Sequence, residues 1–251
     1  AMIARRTALA LVFACVVYMV TLVATIPAPW ISRLLEYSSN QGFLLRDPTG
    51  TAWSGSAVLY ARLRSGELLS LGLLRWRSSP SAVFTGHLAA DLALGANAAP
   101  MHVELARSGV AVRGLSLDLP GRILVEVAPA LAALGPQGTL RIRSDDLRID
   151  AGSVFGLAEI EWRQVRFART TELDLGSHVA RLRGGGRKVD IEFGSNGGPL
   201  RMSGGGAWTR DSGLAVSGTL EHGDDQPAVA SFLQSVCSEY RGGRCTFRIK
   251  Q

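Results

Sequence analysis

"MHVELARSGVAVRGLSLDLP", residues 101–120, decides the fold, because its apolar side chains recur at every second position. Met101, Val103 and Leu105 share one face and His102 and Glu104 the other; Leu115, Leu117 and Leu119 then stand against Ser116 and Asp118. Such alternation marks strands buried on one side, as in antiparallel sheets, since strands covered on both sides read as unbroken apolar runs. The pattern returns in "HLAADLAL" (Leu88, Leu92, Leu94), "LRI" (Leu140, Ile142) and "VDIEF" (Val189, Ile191, Phe193). Glycines at 86, 109, 114, 121, 184–186, 204–206 and 218 punctuate the runs at hairpin spacing. The expectation is a mainly β fold over residues 27–251, a curved antiparallel sheet of half-barrel or taco-like form.

Helical signals are few. "VAPALAAL", residues 127–134, stops at Gly135-Pro136, a strong terminator. "QPAVASFLQSV", residues 226–236, follows Asp224 and Asp225, which suit a helix N-terminus, and sets Val229, Phe232, Leu233 and Val236 on one face. "CTFRI" then reads as a last strand. There is also an internal echo: "LGLLRWRSSPSAVFTGHLAADL" from residue 71 and "FGLAEIEWRQVRFARTTELDL" from residue 155 each run Gly, Trp-Arg, a polar break and an alternating strand. A duplicated sheet unit and a chance match both account for it.

Upstream of the β region, residues 7–26 are twenty positions without a charge. As a helix they span roughly 30 Å, the hydrocarbon thickness of a bilayer. Arg5 and Arg6 favour a cytoplasmic N-terminus for residues 1–6, while Pro27 and Pro29 break the helix and Trp30 falls at headgroup level. The alternative is a cleaved signal peptide, but its apolar core is shorter, at about 7–15 residues. The bulky Ile26 also sits where a small residue should precede the cleavage site before Pro29. The expectation is an uncleaved transmembrane helix over 7–26 with residues 27–251 exported.

Cysteine usage fits export. Cys15 lies in the apolar run, whereas Cys237 and Cys245 flank a Gly-Gly turn in "VCSEYRGGRC", which suggests a disulfide, with two unpaired thiols as the alternative. The net charge of +6 falls to +4 without Arg5 and Arg6, mild for so long a chain. The basic runs interleaved with aromatics that nucleic acid requires are missing, so no nucleic-acid partner is expected.

Catalytic patterns are not evident. His87, His102, His178 and His222 lie far apart without metal spacing. "GGGRK" and "GGGAW" lack the Lys-Ser or Lys-Thr of a phosphate loop and read as hairpin connections. Asp145 and Asp146, adjacent on a strand, should point to opposite faces. No nucleophile elbow or Ser-x-x-Lys occurs. The chain reads as non-catalytic, with no cofactor and no metal.

The succession "ATIPAPWISRLL" (24–35), "TGTAWSGSA" (49–57), "LLRWRSSP" (73–80), "ALGPQGTLRI" (133–142) and "EWRQVRF" (161–167) resembles the type II secretion system protein N family, also called general secretion pathway protein N. The segment carrying Thr49, Gly50, Thr51, Trp53 and Gly55, together with Trp76 and Trp162, holds the resemblance, and "GTAWSG" is also similar to the first strands of AsmA-like periplasmic proteins. The cysteine pair is a departure from the family pattern. The resemblance implies a single-pass inner-membrane protein of a Gram-negative cell with a periplasmic β domain. It also implies an accessory role in moving folded proteins across the outer membrane, with partners among the inner-membrane assembly proteins or the outer-membrane secretin.

On that architecture Gly50 and Gly55 allow tight turns, and Thr51 and Ser54 hydrogen-bond the turning backbone. Trp53 is then free to swing inward and cover the open end of the sheet; the alternative is an exposed anchor for a partner's pocket. Two functions follow. One is a structural or docking part of the secretion assembly, with sheet edges open to β-augmentation. The other is a lipid-binding or lipid-transfer module whose apolar sheet face forms a groove.

Overall fold

The computed structural model of the chain describes residues 13–15, 17–79, 87–95, 98–167, 173–223, 227–237 and 240–250. They form β1 (Phe43–Gly50), β2 (Ser54–Arg62), β3 (Leu68–Ser78), β4 (Leu88–Leu94), β5 (Met101–Ala106), β6 (Gly109–Pro120), β7 (Pro136–Asp150), β8 (Ser153–Phe167), β9 (Leu173–Gly186), β10 (Lys188–Ser195), β11 (Leu200–Thr209), β12 (Gly213–His222), β13 (Tyr240–Arg241) and β14 (Arg244–Lys250). The helices are α1 (Pro29–Ser38), the single turn α2 (Leu124–Val127) and α3 (Pro227–Val236). All fourteen strands join one sheet in sequence order, except that β14 pairs with β12 and β13 lies outside it. Every pairing is antiparallel, and the sheet does not close. The expected strands all appear. The sheet is open, as a half-barrel or taco-like form requires, with β1 at one edge and β13–β14 at the other.

Because neighbours alternate in direction, the hairpins after odd strands line one rim, and those after even strands line the opposite rim. Apolar cover is concentrated in two places. At the β1 end, Ala28, Leu45, Ala57 and Trp76 are buried, and Ile31 and Leu35 of α1 pack on them. At the second rim, Val165, Phe167, Leu173, Leu175 and Leu200 bury Val229 and Leu233 of α3. Phe232 tilts against Phe167 with ring centroids 5.7 Å apart.

Over β10–β14 the sheet covers itself. Register places Leu117, Ile142, Ile160, Ala180, Phe193, Gly204, Gly218 and Phe247 in one row across eight strands. β10 and β14 are three strand spacings apart, roughly 14 Å. Phe193 and Phe247 nevertheless stack at 5.8 Å, because Gly204 and Gly218 leave the strands between them bare. A Cβ at Gly204 would sit 2.6 Å from the Phe193 ring, and one at Gly218 2.9 Å. This corrects the reading of "GGGAW" as a hairpin connection: Gly204–Gly206 lie inside β11, where the Phe193 ring takes the space of a side chain at Gly204. "GGGRK" is corrected in part, since Gly184–Gly186 complete β9 before the turn at Arg187.

One other reading shifts. The helix expected over 127–134 is a 3-10 turn at Gly121–Ile123, then α2, then a second 3-10 turn at Pro129–Ala133. The break falls at Ala128, at φ −128° and ψ 85°, because a residue before proline is driven out of the helical region. Asp145 and Asp146 lie in β7 where the β7–β8 register shifts between Arg143 and Leu147, and both border one cleft. α3 falls where expected, while Asp224 and Asp225 lie outside the described residues.

The transmembrane expectation is only partly within view. Arg5, Arg6 and residues 7–12 and 16 lie outside the described residues; 13–15 and 17–24 are helical. Among the described residues no helix is long and apolar enough to cross a membrane.

The disulfide is present, joining Cys237 after α3 to Cys245 in β14 with Cα atoms 6.0 Å apart. Two stability measurements test this account. Gly218→Val should lower the urea midpoint by the equivalent of about 2 kcal/mol, as the valine displaces the Phe193 ring. Replacing both Cys237 and Cys245 by serine should cost about 2–3 kcal/mol, the chain-entropy value for so short a loop. A midpoint unchanged by Gly218→Val would refute the ring-over-glycine packing.

Candidate functional site

The residues 49–55 build a socket at the first rim, and the chain's N-terminal segment is what it holds. Gly50 turns at φ +90°, beyond the comfortable range of a side-chain-bearing residue. Thr51 Oγ1 accepts the backbone N–H groups of Trp53 (3.3 Å) and Ser54 (3.2 Å), as its position in the turn predicts. Thr51 N–H donates to Ser54 O at 2.9 Å, closing the turn. Thr49 Oγ1 meets Ser56 Oγ at 3.0 Å across the hairpin.

The incoming chain pairs with this turn. Pro27 and Thr51 form an antiparallel bridge. Ala28 N–H donates to Gly50 O at 3.2 Å and Ala52 N–H to Ile26 O at 2.8 Å. The Trp53 indole N–H reaches the carbonyl of Val23, 2.7 Å away, near the end of the N-terminal helix. Last-turn carbonyls lack the usual helix partner, and the indole shares this one with the Ile26 N–H at 3.4 Å.

The role expected for Trp53, covering the sheet end, belongs to Trp76. Trp76 is buried at 7% exposure in the β1-end core, and its indole N–H donates to Thr51 O at 3.1 Å. Gly55 is glycine for that reason and not for a turn: a Cβ there would lie 2.6 Å from the Trp76 ring and 2.3 Å from Thr49 O. Trp162 repeats the device at the opposite rim. Its N–H donates to Gln137 O at 3.1 Å, and a Cβ on Gly121 would meet the indole nitrogen at 2.9 Å. The internal echo therefore corresponds to a repeated Trp-on-Gly contact, although the sequence alone hid Gly121 as its partner. Trp30, on α1, is 62% exposed.

A cleft of about 1000 Å³ over β7–β11 is lined by the apolar Leu157, Leu182 and Ile191 together with the charged Arg143, Asp145, Glu159, Arg181, Asp190 and Glu192. Cross-strand register alternates their signs, Arg143 opposite Glu159, Glu159 opposite Arg181, Arg181 opposite Glu192. A second cleft, about 450 Å³, lies beside the socket and includes Arg75, Arg77 and Asp91. Neither the clefts nor the charge pattern lends the lipid-groove expectation specific support.

The histidines stay apart. His102 Nδ1 meets Asp91 at 2.8 Å. His222 stacks on Tyr240, and His178 is buried beside Ser195. Burial pushes the His178 imidazole below its usual range. Asp118 is held below the ordinary carboxylate range by its hydrogen bonds to Arg141. Among the described residues no group of three histidine, cysteine or carboxylate side chains is placed to hold a metal ion.

The socket makes a specific forecast. Trp53→Phe keeps the ring and removes the donor, weakening the clip by about 1 kcal/mol. Amide exchange over residues 21–28 should quicken while the urea midpoint of the β domain holds. Unchanged exchange there would mean that the indole bond does not hold the helix.

Compared with known proteins, the chain matches one family, described as Type II secretion system (T2SS), protein N, over residues 41–248. No curated protein and no solved structure matches it. The AsmA-like expectation finds no support there. The match takes in the socket, Trp76, Trp162 and both disulfide cysteines, and leaves the N-terminal helix and α1 outside. With most of its length matched in one continuous span, this chain belongs to the type II secretion system protein N family.

Proposed function

We propose that the chain is a non-catalytic docking component of type II secretion, held at the inner membrane by its N-terminal segment with the β domain in the periplasm. The family supports the process, and Arg5 and Arg6 ahead of the uncharged run support the tether. The observation that carries the docking role is the open edge of β14. β13 pairs only with Arg244 and Cys245, so Thr246–Lys250 have β12 on one side and no neighbouring strand on the other among the described residues. Such an edge accepts an extended segment by β-augmentation.

Several features shape that edge. The disulfide fixes its start against α3. Arg248 and Lys250 are exposed, and like charges along an edge oppose pairing with a second copy while favouring an acidic segment. A tether raises the local concentration of such contacts, so a modest edge suffices.

The test is made in the cell of origin. Deleting the protein should leave type II substrates folded in the periplasm. A photo-crosslinking residue at Thr246 should capture an inner-membrane assembly protein or the secretin, and Arg248→Glu with Lys250→Glu should reduce both capture and secretion severalfold. Normal secretion after deletion refutes the role in secretion; impaired secretion with no effect of the edge variants refutes only the edge.

A further inference from the structure

The outer side of α1 is an apolar stripe that the rest of the chain leaves bare. Ile31 and Leu35 turn inward onto the Leu45, Ala57 and Trp76 cluster, and Ser32 is buried with them. Trp30, Leu34 and Tyr37 point the other way, 62%, 67% and 89% exposed, and Arg33 is exposed beside them. Positions 30, 33, 34 and 37 follow the spacing of one helical face. The helix is thus apolar on two sides, and the sheet accounts for one.

We propose that this stripe rests in the headgroup layer of the bilayer, so that α1 lies in the plane of the membrane between lipid and sheet. The inference rests on the tether proposed above and adds an orientation to it. Continuity of surface is the main argument. The N-terminal helix also leaves Phe13, Tyr18, Met19 and Val20 more than half exposed. Its end is clipped to the socket through Val23 and Trp53, and only residues 25–28 separate it from α1. A chain leaving the bilayer there enters α1 within one turn. Composition is the second argument. Tryptophan and tyrosine place an apolar ring in lipid and a polar tip in water, and arginine extends its charge outward from the same depth. α1 is about 15 Å long, and its inner face covers β1–β3. The first strands would therefore run along the membrane, about one helix diameter above it.

The test uses the full chain, with Cys15→Ser and the native disulfide retained, reconstituted in vesicles of phosphatidylcholine and phosphatidylglycerol. Nitroxide labels are placed singly at Tyr18, Tyr37 and Glu159, and their relaxation by oxygen and by a water-soluble nickel complex is compared. The expected order is Tyr18 deepest, Tyr37 at the headgroup boundary with nickel access severalfold below Glu159, and Glu159 aqueous. If Tyr18 is deep and Tyr37 is as open to nickel as Glu159, the tether stands and the stripe does not touch lipid. Occlusion of Tyr37 from both relaxers would assign the stripe to a protein partner and overturn the proposal. An aqueous Tyr18 would overturn the tether and this inference together.

Discussion

Every buried backbone N–H and carbonyl must find a partner, and this chain meets that demand by pairing each strand with its sequence neighbours, with one exception at the C-terminal end. Such a ladder is built from short hairpins, which suits a sequence punctuated by glycine. Its consequence is a broad sheet with a single apolar face. α1, α2 and α3 are too few to cover that face, so cover is divided between the cluster under α1 and the cluster around α3. Over β10–β14, Phe193 and Phe247 lie across strands that carry glycine. The same ladder leaves two edges, β1 at one end and β13–β14 at the other.

Tryptophan against glycine is the local unit from which both rims are made. Trp76 over Gly55 ties the β1-end core to the carbonyl of Thr51, and Trp162 over Gly121 ties the α3-end core to the carbonyl of Gln137. An indole suits the position because it buries a large area and still brings a donor to a rim carbonyl. The two rims then diverge in use. The first receives the N-terminal helix through Trp53; the second receives α3 and, through the disulfide, the start of β14. Attachment and the open edge are thereby fixed to the domain by different means.

The polar face adds little to stability, since exposed ion pairs such as Arg181 with Glu159 contribute modestly at best. Their alternating signs do something else: they keep a wide, flat surface hydrated and without a strong field of either sign. That leaves Arg248 and Lys250, at the β14 edge, as a local basic feature beside a balanced face.

Period-two alternation was enough to establish the antiparallel sheet, because side chains on a half-buried strand must alternate whatever the partner strand is. Cys237 and Cys245 were readable as a pair from their separation and the intervening Gly-Gly turn, and Thr51 from the hydrogen bonds that a turn threonine makes. Tertiary structure decided what depends on residues distant in sequence. Gly204 and Gly218 resemble loop glycines until Phe193 is seen lying over them, and Gly55 resembles a turn glycine until Trp76 arrives from the next strand. Trp76, and not Trp53, covers the sheet end for the same reason, since its place on β3 sets it over Gly55 of the paired strand. The pattern of apolar residues specifies which side of a strand is buried; only the packed sheet specifies what buries it.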